Sequence, residues 1–149
     1  MKLVRLTPEH ESGFATFLKA LRDNGDEAFF SPHPFTDAYA TKLSRYEGKD
    51  YYCLAMDGGK VLGYGMLRGW DEGYERPSLG IAIHPDERRK GLAEDLMRHL
   101  HEEARRRKSK EVRLRVKKDN PRAIGLYEKL GYRLSPDRDP QFYEGILPL

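Results

Sequence analysis

Lys2–Leu6 alternates polar and apolar positions, the period of a half-buried strand. Thr7-Pro8-Glu9 then reads as a helix start, with Thr as N-cap and Pro at the first helical position. Phe14, Phe17, Leu18 and Leu21 follow at helical spacing, and Asn24-Gly25 stops the run. Ser31-Pro32-His33-Pro34 is a loop, because two prolines deny the backbone its helical hydrogen bonds. A second short helix is predicted from about Thr36 to Tyr46, with Ala40 and Leu43 on one face and Gly48 ending it. Tyr51–Met56 and Val61–Leu67 read as strands joined by the hairpin turn Asp57-Gly58-Gly59-Lys60.

After the loop Arg68–Pro77, Ser78–Ile83 is the next strand, and His84-Pro85-Asp86-Glu87 breaks it. Leu92, Leu96, Leu100 and Ala104 mark an amphipathic helix, its stripe widened by Ala93 and Met97. Val112, Leu114 and Val116 alternate as a strand. Asn120-Pro121 opens another helix, with Ala123, Ile124, Tyr127 and Leu130 inward and Gly131 at its end. Tyr132–Leu134 and Phe142–Leu147 close the chain as short strands. The predicted order is β-α-α-β-β-β-α-β-α-β-β, an α/β domain with a mixed sheet, and one domain over 1–149 is the default at this length.

Composition narrows the partners. Apolar residues make up 38% and charged residues 34%, with a net charge of +3, too balanced for a dedicated nucleic-acid binder. The charge is uneven: residues 1–74 carry 9 Lys/Arg against 11 Asp/Glu, and residues 75–149 carry 18 against 13. An anionic ligand is therefore expected to meet the second half. The basic run Arg105–Lys110 reads as a solvated helix end favoured by the C-terminal dipole. The single Cys53 permits no internal disulfide and, inside an apolar run, reads as a core thiol. The five histidines form no metal-ligand spacing, so no metal is expected. No stretch approaches the roughly 20 apolar residues of a membrane span, and the N-terminus lacks a signal-peptide apolar region. The expected compartment is cytoplasmic, without membrane or nucleic-acid partners.

The chemistry is expected between Ile81 and Ala93. A strand ends there, and a helix begins near Gly91. The first amides of a helix have no partner, and the dipole adds positive charge, so the turn is an anion site. Gly91 admits close approach, Ala93 is nearly as small, and Arg88, Arg89 and Lys90 add charge. A pyrophosphate is the natural guest. The glycine patterns of the P-loop and of the dinucleotide fingerprint are both absent.

The segment IAIHPDERRKGLAEDLM resembles motif A of the GCN5-related N-acetyltransferase (GNAT) superfamily, Arg/Gln-x-x-Gly-x-Gly/Ala, through Arg88, Gly91 and Ala93. NPRAIGLYEKLGY resembles motif B of the same family, one strand further on. The resemblance covers roughly residues 50–147 and implies a mostly antiparallel, twisted sheet flanked by helices. It implies acetyl-CoA as co-substrate: backbone groups of Ile81 and Ile83 on the pantetheine arm, amides from Arg88, Arg89 and Lys90 through Gly91, Leu92 and Ala93 around the pyrophosphate, and Asn120 near the pantetheine. Tyr127 is expected beside the sulfur, as general acid to the departing thiolate. Glu94 and Asp95 must point away from the phosphates for this to hold. Dimers are common in the family, which makes a homodimer an expectation here.

The acceptor's base is expected in the loop before the thioester strand, where Asp71, Glu72 and Glu75 either take the amine's proton, directly or through water, or attract a cationic amine, with Glu72 preferred as base and Asp71 and Glu75 set on the substrate side; His84 reads instead as a turn residue. Trp70 and Tyr74 either hold a cation or sugar ring or pack the loop onto the sheet. Phe30 and Phe35, with Phe29 and Tyr39, fall in the region that resembles the family's substrate wall. The expected function is acetyl transfer to a small or protein-borne primary amine. The alternatives are a non-catalytic acyl-CoA-binding or sensing domain, which would not need Tyr127, and a nucleic-acid module using Arg105–Lys108.

Overall fold

The computed structural model describes residues 1–149. Its elements follow the predicted order: β1 (Lys2–Arg5), α1 (Glu11–Asp23), α2 (Asp37–Ser44), β2 (Tyr51–Asp57), β3 (Lys60–Arg68), β4 (Ser78–Ile83), α3 (Leu92–Arg106), β5 (Glu111–Lys117), α4 (Pro121–Lys129), β6 (Arg133–Pro136) and β7 (Phe142–Pro148). The strands form one seven-stranded sheet in the order β1-β2-β3-β4-β5-β7-β6. Every neighbouring pair is antiparallel except β4 and β5. The mixed, mostly antiparallel α/β architecture expected from the sequence is the one observed.

Differences at the element ends have local causes. Pro8–His10 is a 3-10 turn, and α1 starts only at Glu11. The His10 ring folds back to Thr7, whose N–H donates to Nδ1 at 3.0 Å, and this tightens the first turn. Tyr132 does not open β6, because its N–H closes α4 on the carbonyl of Tyr127 at 3.0 Å. Arg68 belongs to β3, opposite Ser78 on β4, and is not a loop residue.

The sheet carries a core on each face. Phe14, Phe17, Leu18 and Leu21 of α1 pack with Tyr52, Leu54, Tyr64 and Met66 on one face. Leu96, Met97, Leu100 and Ala104 of α3 pack with Cys53, Leu67, Leu79 and Leu114 on the other. Small residues line the second face beneath α3. A Cβ built at Gly65 would lie 3.0 Å from a Leu100 methyl and 3.2 Å from the Cys53 sulfur. That close approach seats α3 deep on β3 and fixes where its N-terminus meets the end of β4. Cys53 is fully buried, and burial pushes its thiol up to about 12, so it packs as a small apolar group.

Candidate active-site cleft

The register of β3 and β4 exposes part of the β4 backbone. His84 N–H donates to the Leu62 carbonyl at 2.8 Å, which marks that pair as a hydrogen-bonding position of the ladder. Alternation along the Gly63↔Ile83 register then directs the amides and carbonyls of Ala82, Gly80 and Ser78 to β3. Those of Leu79, Ile81 and Ile83 point toward β5. Yet β5 meets β4 at a single position, Ser78↔Arg113, with Arg113 N–H on the Pro77 carbonyl at 3.0 Å. Beyond that apex the two strands part. The gap is a strand-shaped slot edged by β4 backbone that no neighbouring strand pairs, the geometry that accepts an extended ligand as an added strand.

At its end the slot meets the turn predicted to hold an anion. Arg89 has φ 67 and Gly91 has φ 80, so two positions of this turn are left-handed. The first bond of α3 runs from Asp95 N–H to the Gly91 carbonyl. The amides of Leu92, Ala93 and Glu94 therefore emerge with no helical partner. With the loop after α1 and the start of α4, these elements enclose a cleft of about 770 Å³. A long phosphate-bearing ligand such as CoA fits the donor chemistry: backbone edge in the slot, free amides and Arg89 at the turn.

The structure brings Ile81, Ile83, Arg88, Arg89, Gly91, Leu92, Ala93, Asn120 and Tyr127 to this cleft, together with Phe30 and Phe35. Lys90 is not part of the lining; its ammonium pairs with Glu87 at 3.0 Å. Arg88 plays a different part from the one expected. Its guanidinium donates to the Ile83 carbonyl at 3.2 and 3.1 Å and to Asp26 at 2.5 Å. It thereby ties the turn to the strand end and to the loop after α1. Asn120 caps α4 through Ala123 N–H at 3.3 Å. Tyr127 packs with the α3-side core. Burial pushes its phenol up to about 12, so it holds its proton at neutral pH.

Asp95 is exposed and outside the lining. Glu94 does line the cleft, but Lys129 at 2.7 Å and Arg98 at 3.0 Å engage its carboxylate. Repulsion at the turn is thus avoided by pairing rather than by direction alone. His84 is the turn residue expected, its Nδ1 accepting from Asp86 N–H at 3.1 Å.

The loop Gly69–Arg76 is not brought to the cleft, and the roles expected there require correction. Buried Asp50 accepts from the N–H groups of Gly69, Trp70 and Asp71 through one oxygen, at 3.0, 2.9 and 3.3 Å. Asp71 accepts from the Tyr46 hydroxyl and from Lys49 N–H, which lowers its carboxyl pKa. Trp70 packs on the α3-side core with the Arg107 guanidinium 4.3 Å from its ring centre, so the packing alternative holds. Glu72, Tyr74 and Glu75 line a separate pocket with Arg68, Arg76 and Arg113. The expected base Glu72 therefore does not face the slot.

Two arginines of the cleft escaped the sequence reading. Arg115 and Arg122 both line it. The strict alternation with buried Leu114 and Val116 places Arg115 on the open face, a signal present in the sequence. Among the cleft carboxylates, Asp26 pairs with Arg88, Glu87 with Lys60 and Lys90, and Glu94 with Lys129. No group of three or more His, Cys, Asp or Glu side chains is placed to hold a metal ion. No helix is long and apolar enough to cross a membrane.

Residues 18–132 match the model of the acetyltransferase (GNAT) family. An acetyltransferase of Pectobacterium atrosepticum is 32% identical over 83 residues, which cover 56% of this chain and 57% of the relative, little more than half its length. The GNAT domain of S. lividans PAT superposes with a TM-score of 0.84 at 15% identity, over 99% of this chain and 89% of that one. The PaiA N-acetyltransferase of Thermoplasma acidophilum, solved in complex with coenzyme A, gives 0.79 at 12% identity over 99% and 98% of the two chains. At those identities the likeness speaks for the fold.

Proposed function

The chain belongs to the acetyltransferase (GNAT) family, and from that premise we propose that it transfers an acetyl group from acetyl-CoA to a primary amine by direct attack. The observation that carries this is the slot itself: β4 backbone that no neighbouring strand pairs, a partnerless helix start and the Tyr127 phenol line one cleft. Bound acetyl-CoA would supply the activated acyl group. Ile81 would hold the pantetheine through N–H and C=O and Ile83 through its N–H, its carbonyl being held by Arg88, and the amides of Leu92 and Ala93 the pyrophosphate. In the transfer the amide N–C bond forms and the thioester C–S bond breaks. Tyr127 gives its proton to the thiolate, and solvent restores it. Since Asp26, Glu87 and Glu94 are all engaged in ion pairs, the amine is read as entering in its free-base form and losing its proton to solvent.

Calorimetric titration with acetyl-CoA, paired with thiol release across an amine panel, tests this. Acetyl-CoA binding in the micromolar range and amine-dependent thiol release are expected. Tyr127→Phe is expected to lower kcat about a hundredfold with little change in acetyl-CoA affinity. Because the phenol titrates only near about 12, kcat should not fall for want of the acid between pH 7 and 10. The paired state of the cleft carboxylates also suits a non-catalytic acyl-CoA-binding domain. Tight binding with no thiol release for any amine would favour that second reading.

A further inference from the structure

The row of residues across the slot's apex has no part in holding CoA. Arg68 faces Ser78, and Ser78 faces Arg113, in register across β3, β4 and β5. Alternation puts all three on the face opposite α3, since Leu67, Leu79 and Leu114 pack toward α3. On that same face lies Gly80, against which the Phe30 ring rests; a Cβ there would come within 2.9 Å of the ring. The pocket of about 540 Å³ over Ser78 thus adjoins the cleft along β4, one pleat away. The large apolar side chains left exposed are Met1, Phe29 and Tyr74. The last two stand at the rims of the cleft and of this pocket respectively.

The charges at the pocket are unequal in their engagement. Arg113 pairs with Glu144, and Arg76 with Glu111 at 3.1 Å. Arg68 is half-buried and donates only to the Pro32 carbonyl at 3.0 Å, so most of its five donors are unused. Glu72 and Glu75 lie across from it on the exposed rim, in water and outside the protein's ion pairs. A half-buried guanidinium on a rigid strand is the stronger and better-oriented of these sites for a ligand. The rim acids would admit one carboxylate but oppose a doubly charged phosphate.

Resting on the acetyl-transfer reading, we propose that the acceptor is a small amine carrying a carboxylate at the far end of a flexible spacer, and that Arg68 seats this carboxylate beside Ser78. Ser78 lies three residues along β4, or about 10 Å at the usual rise of a strand, from Ile81, whose backbone would hold the thioester end of the pantetheine. That separation sets the spacer: too long for an α-amino acid whose α-amine reacts, and suited to an ω-amino acid. The transfer balances as before, the acid end taking no part in bond making.

The test compares ω-amino acids, from γ-aminobutyrate through ε-aminocaproate and upward, with alkylamines and diamines of equal length. Acetyl-CoA binding and thiol release are followed together. The acid series should exceed the matched alkylamines in kcat/KM by roughly tenfold or more, with an optimum at intermediate length. That ratio should fall toward one in Arg68→Gln, chiefly through KM, and recover in part in Arg68→Lys. Glu72→Gln should raise it. Acetyl-CoA affinity in Arg68→Gln and a thermal melt distinguish lost recognition from lost fold. Equal use of alkylamines, preference for diamines, or no turnover of any acid-bearing amine while acetyl-CoA binds overturns the proposal and leaves the transferase reading standing. Absence of acetyl-CoA binding overturns the reading beneath it.

Discussion

His101 shows how one buried side chain sets a pH dependence. It sits on the inner side of α3 with Nε2 2.8 Å from the Tyr132 hydroxyl, and the residue is 4% exposed. Burial, aided by the charges of Arg105 and Arg98, lowers its pKa from 6.5 to about 4. The unfolded chain therefore binds a proton that the folded chain refuses between those two values. Stability from this group is complete above about pH 6.5 and is lost as pH falls through the window. With allowance for solvent screening the loss is about 2 kcal/mol. Urea denaturation at pH 7 and pH 4.5 should show His101→Gln losing less stability than the wild type over that interval. Identical slopes for the two proteins would remove His101 as the cause. Tyr127 has the reverse relation to pH, because burial raises a phenol and leaves it protonated in the working range.

Among the elements, the junction of β4 with α3 carries two left-handed positions, Arg89 and Gly91. Gly91 holds φ 80 with no atom within 4 Å of where a Cβ would stand, so its cost to a side chain is conformational rather than steric. Gly91→Ala is expected to destabilise by about 1–2 kcal/mol and to weaken acetyl-CoA binding roughly tenfold, because relief of the strain moves the free amides of Leu92 and Ala93. Gly58 supplies the control. It has φ 58 in the β2–β3 hairpin, with equally open space. Gly58→Ala should lose similar stability in denaturation and leave the acetyl-CoA titration unchanged. If both variants bind alike, the turn's conformation does not matter to the ligand. Arg88 belongs to this scale too. It braces the junction by joining Ile83 to Asp26, and so acts on the site through the backbone it positions.

At the scale of the molecule, the splay of one parallel strand pair turns a sheet into a cleft, and distant loops frame its two ends. Asp50 is the link that fastens the Gly69–Asp71 turn to the start of β2, with three N–H donors on one buried oxygen. Asp50→Ala leaves those donors unmatched and should cost about 2–4 kcal/mol. Asp50→Asn keeps an acceptor oxygen there and should cost less than half as much. Chemical denaturation of both variants checks the ordering; equal losses would mean that the charge, and not the acceptor geometry, holds the loop. The same fastening keeps Glu72 out of the slot and leaves it on the pocket beside Arg68.

Periodicity and capping residues by themselves determined the order of the elements, the helix starts at Thr36, Gly91 and Asn120, and the core thiol at Cys53. These are set by contacts within a turn or two of the chain, or by strict alternation, and so can be read locally. The glycine turn at the start of α3 and the place of Tyr127 at the cleft were also legible, because backbone conformation and helical spacing set them. Partners distant in the chain were not. Arg88 on Asp26, Glu94 on Lys129, Asp71 on Tyr46 and Asp50 on Gly69 each join segments that only the folded sheet brings together. A carboxylate's role depends on which cation or amide lies opposite it, and that neighbour is a property of the tertiary structure. The Arg68–Ser78–Arg113 row arises in the same way, from the pairing of three strands rather than from any motif within one.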